Sequence, residues 1–155
     1  MAQTVDHYIL LADDDEDDCF LFQEALTEIS LRASLVIVND GEQLMQELER
    51  DNLPDVLFLD LNMPRKDGFQ CLQEIKQQAK FASLPVVIFS TSFQPDVVDK
   101  LYEQGAHYYI RKPSNFENFK KVIHYAISLV QNSSNANTSQ RPSLEKFVIE
   151  SKFGS

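Results

Sequence analysis

Five residues far apart in the chain have side chains that could act together in one reaction. They are Asp13 and Asp14 in LLADDDEDD, Asp60 in VLFLD, Ser90 in VVIFS and Lys112 in YYIRKP. Each stands at the end of a short apolar run. In an open parallel sheet, binding groups collect outside the carboxyl ends of the strands. If these runs pair as neighbours, three carboxylates, a hydroxyl and an ammonium converge on one pocket. Clustered carboxylates are hard oxygen ligands suited to Mg²⁺, which keeps several waters and commonly bridges to phosphoryl oxygens. A cation would also remove the repulsion created by stacking acids behind a buried strand. A carboxylate can attack phosphorus and form an acyl phosphate. Lys112 and Ser90 would then stabilise the equatorial oxygens of the transferring group, so that positioning and charge neutralisation carry most of the catalysis.

The elements that must position these groups follow from hydrophobic period. Tyr8 to Ala12, Leu35 to Val38, Val56 to Leu59, Val86 to Phe89 and Tyr108 to Ile110 are apolar runs of strand length. Between them, apolar residues recur at helical spacing. Phe20, Leu21, Ala25, Leu26 and Ile29 form the first such set, and Leu44, Met45 and Leu48 follow the Asp40-Gly41 turn. Phe69, Leu72, Ile75 and Lys76 come next, then Val97, Val98, Leu101 and Tyr102 with Gly105 as a stop. A last helix starts near Asn115 and carries Phe116, Phe119, Val122, Ile123, Ala126, Ile127 and Val130. Five strand-helix units in this order predict an α/β fold with a doubly wound, five-stranded parallel sheet and helices on both faces.

Composition bounds the function. With 155 residues and 43% hydrophobic content, the chain can bury one core and is too short for two independent domains. A formal net charge of -10 argues against direct contact with nucleic acid. No segment approaches the length of a bilayer span and the N-terminus has no leader pattern, so a cytoplasmic protein is expected. Cys19 and Cys71 lack metal or redox spacing and read as buried thiols. His7, His107 and His124 likewise lack ligand spacing and read as surface or packing residues. Asp15 to Asp18 read as a solvated helix start favoured by the macrodipole. Arg65 and Lys66 read as solvated loop charges near the acceptor. Beyond Val130 the stretch QNSSNANTSQRPS is polar and aperiodic, the pattern of a linker. Leu144, Phe147 and Val148 could share one helical face, so residues 131–155 are a polar linker and tail, either disordered or docked as a short helix or strand. No output domain is expected in these residues.

Across residues 7–130 the chain resembles the receiver domain of two-component response regulators, a flavodoxin-like fold. The resemblance is carried by Asp13-Asp14, by Asp60 within DLNMPRKDG, by Ser90 and by Lys112-Pro113. DLNMPRKDG, FSTS and YYIRKP together resemble the stand-alone receivers paired with phytochrome-type histidine kinases. The family implies that Asp60 accepts a phosphoryl group from a histidine kinase or a histidine phosphotransfer protein. It implies Mg²⁺ held by Asp14 directly, Asp13 mainly through water, Asp60, and the backbone carbonyl of Asn62. Ser90 and Lys112 would contact the phosphoryl oxygens, and the bond before Pro113 is expected to be cis. Tyr109 would turn inward when Ser90 moves, although an aromatic on a half-buried strand is also ordinary core. A homodimer through the fourth helix, fifth strand and fifth helix is a further expectation of the family. Thr91 departs from the small residue common at its position and would narrow phosphoryl access.

The expected function is a phospho-switch rather than an enzyme, catalysing only its own phosphorylation and dephosphorylation. Two alternatives stay open. One is a phosphorelay intermediate or phosphate sink without protein output. The other is a haloacid-dehalogenase-type phosphatase, which needs an acid two residues after its nucleophile where this chain has Asn62.

Overall fold

The apolar runs ending at Ala12, Leu59, Phe89 and Ile110 become strands buried on both faces by helices, the environment in which parallel strands read as continuous hydrophobic sequence, whereas the run ending at Val38 forms an outer, part-buried strand. The structure is a computed structural model that describes residues 7–29, 31–135 and 141–149. Strands β1 (His7–Ala12), β2 (Ala33–Val38), β3 (Val56–Leu59), β4 (Val86–Ser90) and β5 (Tyr108–Arg111) alternate with helices α1 (Glu16–Glu28), α2 (Gly41–Leu48), α3 (Gly68–Lys76), α4 (Pro95–Glu103) and α5 (Phe116–Asn135). A 3₁₀ turn at Ala79–Phe81 lies between α3 and β4.

The sheet departs from the expected five strands. A short helix α6 (Leu144–Phe147) leads into β6 (Val148–Ile149), which pairs parallel with the outer side of β5. The result is six parallel strands in the order β2-β1-β3-β4-β5-β6. The tail therefore docks where it is described, and the extra strand covers backbone groups that β5 would otherwise present as an open edge. The polar composition after Val130 does not end the last helix, which runs to Asn135. The rest of the expected linker, residues 136–140, lies outside the described residues.

Strand alternation sorts the core into two layers. Ile9, Leu11, Phe58, Phe89 and Ile110 pack under α1 and α5, where Phe22, Phe58, Phe89 and Phe119 form a chain of edge-on rings with centroids 4.9–5.9 Å apart. Leu10, Leu57, Leu59, Ile88 and Tyr109 face the opposite way, toward α2, α3, α4 and α6. Phe147 joins this second layer fully buried, its ring 5.1 Å from that of Tyr102 and 6.4 Å from that of Tyr109. The start of the tail is fixed as firmly. Arg141 donates to the carbonyls of Tyr102 (2.6 Å) and Ala106 (2.9 Å), and Tyr102 Oη donates to the Pro142 carbonyl at 2.8 Å.

Side-chain caps set the starts of α1, α2 and α3, while α4 starts on Pro95 without one. Asp15 accepts from the amides of Asp17 and Asp18, Asp40 from Gln43, and Asp67 forms a capping box with Gln70. Gly105 takes φ +106° just after α4, the left-handed stop expected of it. Among the described residues, no helix is long and apolar enough to cross a membrane.

Candidate functional site

Backbone hydrogen bonds set the heights of the site residues. The amide of Asp13 donates to the Val38 carbonyl (3.0 Å), that of Asp60 to the Ala12 carbonyl (2.9 Å), and that of Lys112 to the Ser90 carbonyl (2.7 Å). Each residue that follows a strand is thus tied to the end of the neighbouring strand. Asp13, Asp60, Ser90 and Lys112 are held along one edge of the sheet. A close approach by α3 supports it from below. A Cβ on Gly68 would lie 2.4 Å from the Asp60 carbonyl oxygen, so only glycine lets the helix start this near the acceptor.

The side chains then meet. Carboxylate oxygens from Asp13, Asp14 and Asp60 lie within 4.8 Å of one another, with Asp13 and Asp60 buried and Asp14 exposed. The Lys112 side chain is 4% exposed and places its Nζ 2.7 Å from Asp13 Oδ2 and 2.8 Å from Asp18 Oδ2. Asp13 Oδ1 accepts from the Asp15 amide at 3.0 Å, so both its oxygens are engaged. Ser90 is fully buried and its Oγ is 3.2 Å from Ser92 Oγ. Tyr109 is also buried and its hydroxyl donates to the Ser92 carbonyl, which ties it to the loop carrying Ser90 and Ser92. Thr91 is exposed, on the wall of a cleft of about 830 Å³ that also includes Asp18, Phe93, Lys112, Pro113 and Val148.

Burial pushes Asp60 up to about 7. Lys112 and the Asn62 amide pull it down, while Asp13 and Asp14 push it further up. Burial works against the Lys112 charge as well, but Asp13, Asp18 and Asp60 together hold it protonated, with its pKa above the ordinary lysine value. One ammonium does not balance four acids, which is the electrostatic signature of a cation site. The donor set fits a hard divalent ion. Three carboxylates whose oxygens lie within 4.8 Å of one another are hard donors close enough to face a single divalent ion.

The expected site residues Asp13, Asp14, Asp60 and Lys112 are therefore brought together, with Ser90 buried on the adjoining strand. Asn62 follows two residues after Asp60 and turns its amide to the Asp60 carboxylate. Three expectations need correction. The peptide bond before Pro113 is trans, as are all described peptide bonds; trans is the lower-energy form, and the pull of Asp13 and Asp18 turns Lys112 inward without a cis bond. Arg65 and Lys66 are paired rather than merely solvated, Arg65 to Asp40 at 3.1 Å and Lys66 to Glu74, and Arg65 adopts φ 68° in the loop that follows Asp60. Asp18 is more than a solvated cap: it holds Lys112. No spacing in the sequence singles it out, since Asp14 precedes the first helix, which starts at Glu16.

Residues 9–124 match the model of the response regulator receiver domain. The chain belongs to that family. This receiver is 36% identical to response regulator Rcp1 of Synechocystis sp. over 121 residues, 74% of this chain and 82% of that protein. Among solved structures it is similar to the phosphorylated cyanobacterial phytochrome response regulator RcpA, with TM-score 0.77, 30% identity, and coverage of 90% of this chain and 100% of that one. The Mn²⁺-bound form of Rcp1 superposes with TM-score 0.68 at 32% identity, covering 88% of this chain and 99% of that one. The receiver is thus a two-component signalling domain closely related to phytochrome response regulators, in a family that binds divalent metal.

Proposed function

We propose that this receiver accepts a phosphoryl group on Asp60 from a phosphohistidine of a histidine kinase or phosphotransfer protein, and that the modified form binds a partner which the unmodified form does not. The observation that carries the proposal is the gathering of Asp13, Asp14 and Asp60 within 4.8 Å at the strand ends, beside a buried lysine. Asp13, Asp14, Asp60 and the carbonyl of Asn62 would hold Mg²⁺, the hard ion that such oxygens prefer. Bound Mg²⁺ supplies positive charge that favours the ionised form of Asp60 and neutralises phosphoryl oxygens.

In the transfer, an Asp60 carboxylate oxygen attacks phosphorus, the P–N bond to the donor imidazole breaks, and the imidazole, already protonated on its other ring nitrogen, leaves as the neutral ring with the bonding pair. Lys112 and Ser90 donate hydrogen bonds to the phosphoryl oxygens. Drawing Ser90 Oγ inward breaks its 3.2 Å contact with Ser92, whose carbonyl holds the Tyr109 hydroxyl. New charge at Asp60 thereby reaches Tyr109 and the face of α4 and β5, a local event biasing a packed element. A homodimer on that face has to include α6 and β6 or displace them, because β6 occupies the outer side of β5.

Likeness to Rcp1 and RcpA supports a phytochrome-type histidine kinase as donor. Phosphotransfer from such kinases draws on ATP, which favours a cytoplasmic location for the receiver. The net charge of -10 does not suit direct binding of nucleic acid. The family match favours the switch over the phosphatase alternative. Incubation with acetyl phosphate and Mg²⁺ tests the proposal: an acid-stable, base-labile phosphate that disappears on chelation is the expected result. Turnover of a generic phosphomonoester without such a label would overturn it.

A further inference from the structure

Lys112 has one more acidic partner than contact with a phosphoryl group requires. Of its three N–H donors, one is given to Asp13 and one to Asp18. The two acids differ in what else they do. Asp13 is fully buried and belongs to the carboxylate cluster, whereas Asp18 is outside that cluster, with its side chain 20% exposed at the start of α1. The neighbouring acids do not duplicate it: Asp15 Oδ1 accepts from the amides of Asp17 and Asp18 as the helix cap, and Lys112 bonds neither Asp15 nor Asp17.

A divalent cation entering the cluster competes with Lys112 for Asp13. If Asp13 were the only partner, cation entry would leave a nearly buried ammonium uncompensated, and such a charge is costly. We propose that Asp18 is a positioning residue for Lys112: it retains the ammonium at the mouth of the site when Asp13 turns to the cation, and so makes metal loading compatible with a buried lysine. The inference rests on the reading of this site as a divalent-metal phosphoryl acceptor. It adds a carboxylate that touches neither metal nor phosphoryl group yet sets the affinity for the metal.

The test is calorimetric titration of the full chain with MgCl₂, for the unmodified protein and for Asp18→Asn, Asp17→Asn and Asp18→Glu. Asp17→Asn removes the same charge one residue away, without the lysine contact. Losing one partner of a nearly buried ion pair should raise the Mg²⁺ Kd of Asp18→Asn about tenfold. For Asp17→Asn the expected change is within about twofold, as for a surface charge, and Asp18→Glu should recover most of the affinity. With acetyl phosphate, Asp18→Asn should raise the Mg²⁺ concentration giving half-maximal phosphorylation by the same factor. Unfolding midpoints in EDTA identify any variant that is merely unfolded, and Asp18→Ser, with the same loss of affinity expected, carries the test where Asp18→Asn does not fold. Unchanged Mg²⁺ affinity in Asp18→Asn, or an equal loss in Asp17→Asn, overturns this inference alone. Failure of the unmodified chain to bind Mg²⁺ overturns the metal-site reading as well.

Discussion

Replacing Asp60 by Asn should stabilise the metal-free protein, and increasingly so as pH rises. The Asp60 carboxyl is pushed from 3.8 up to about 7 in the folded chain, by burial first and then by Asp13 and Asp14. A folded-state pKa above the unfolded one means that the folded protein binds the extra proton between those values. Stability associated with Asp60 is therefore full below about pH 4, is lost as pH rises toward about 7, and is flat above. Three units at about 1.4 kcal/mol each set a ceiling of about 4 kcal/mol on the cost of ionising Asp60 in the fold. About half of that is expected to survive relaxation of the neighbouring acids, so the advantage of Asp60→Asn should grow by about 2 kcal/mol between pH 4.5 and pH 8. In a chain of this size that corresponds to about 4–8 °C in Tm. The chain has no tryptophan, so urea unfolding in EDTA is best followed by far-UV circular dichroism. Saturating Mg²⁺ should narrow the gap at pH 8, since a ligand at about a hundred times its Kd stabilises by about 2.7 kcal/mol. Equal stability of the two proteins at pH 8, or a difference that does not change with pH, would mean that ionised Asp60 carries no penalty in the fold.

Lys112→Met leaves Asp13 buried without its cation and should cost about 3 kcal/mol of stability in EDTA, read from the urea midpoint; no loss would show that the pair is dispensable. Phe147→Ala removes a fully buried ring between Tyr102 and Tyr109 and should cost about 3 kcal/mol of tail docking. Limited proteolysis should then cut the tail of the variant while the domain stays intact, and equal resistance in both proteins would contradict the docked tail. His107 accepts a hydrogen bond from the Val86 amide through Nδ1, and burial lowers its pKa from 6.5 to about 4. Its contribution to stability is present above about pH 6.5 and is lost as pH falls toward about 4, at most about 3 kcal/mol. His107→Gln should flatten that part of the stability profile, and an unchanged slope would place the acid sensitivity elsewhere.

Much of the sheet could be read from residue order because β1, β3 and β4 are buried on both sides. YILLA, VLFL and VVIF carry no polar interruption that a helix would need on its outer face. The acceptor corner was legible for the same reason: an acid directly after such a run has nowhere to sit but the strand end. The tail was not. Val148 and Ile149 form a strand only because β5 offers an edge and Phe147 finds room beside Tyr102 and Tyr109, and none of this is local to the segment. Asp18 was hidden by its company, since a carboxylate that holds a lysine 94 residues away looks in sequence like any other acid in a helix cap. The same holds for Arg65, whose partner Asp40 lies 25 residues earlier at the start of α2.

Everything proposed for the site depends on Asp60 being the phosphoryl acceptor. Borohydride reduces an acyl phosphate of aspartate to homoserine, which converts a labile modification into a permanent mark that peptide mass spectrometry can place. After incubation with acetyl phosphate and Mg²⁺ followed by borohydride, homoserine is expected at position 60 and nowhere else, and none when chelator replaces Mg²⁺. Homoserine at position 13, 14 or 18, or label that persists in Asp60→Asn, would contradict the assignment.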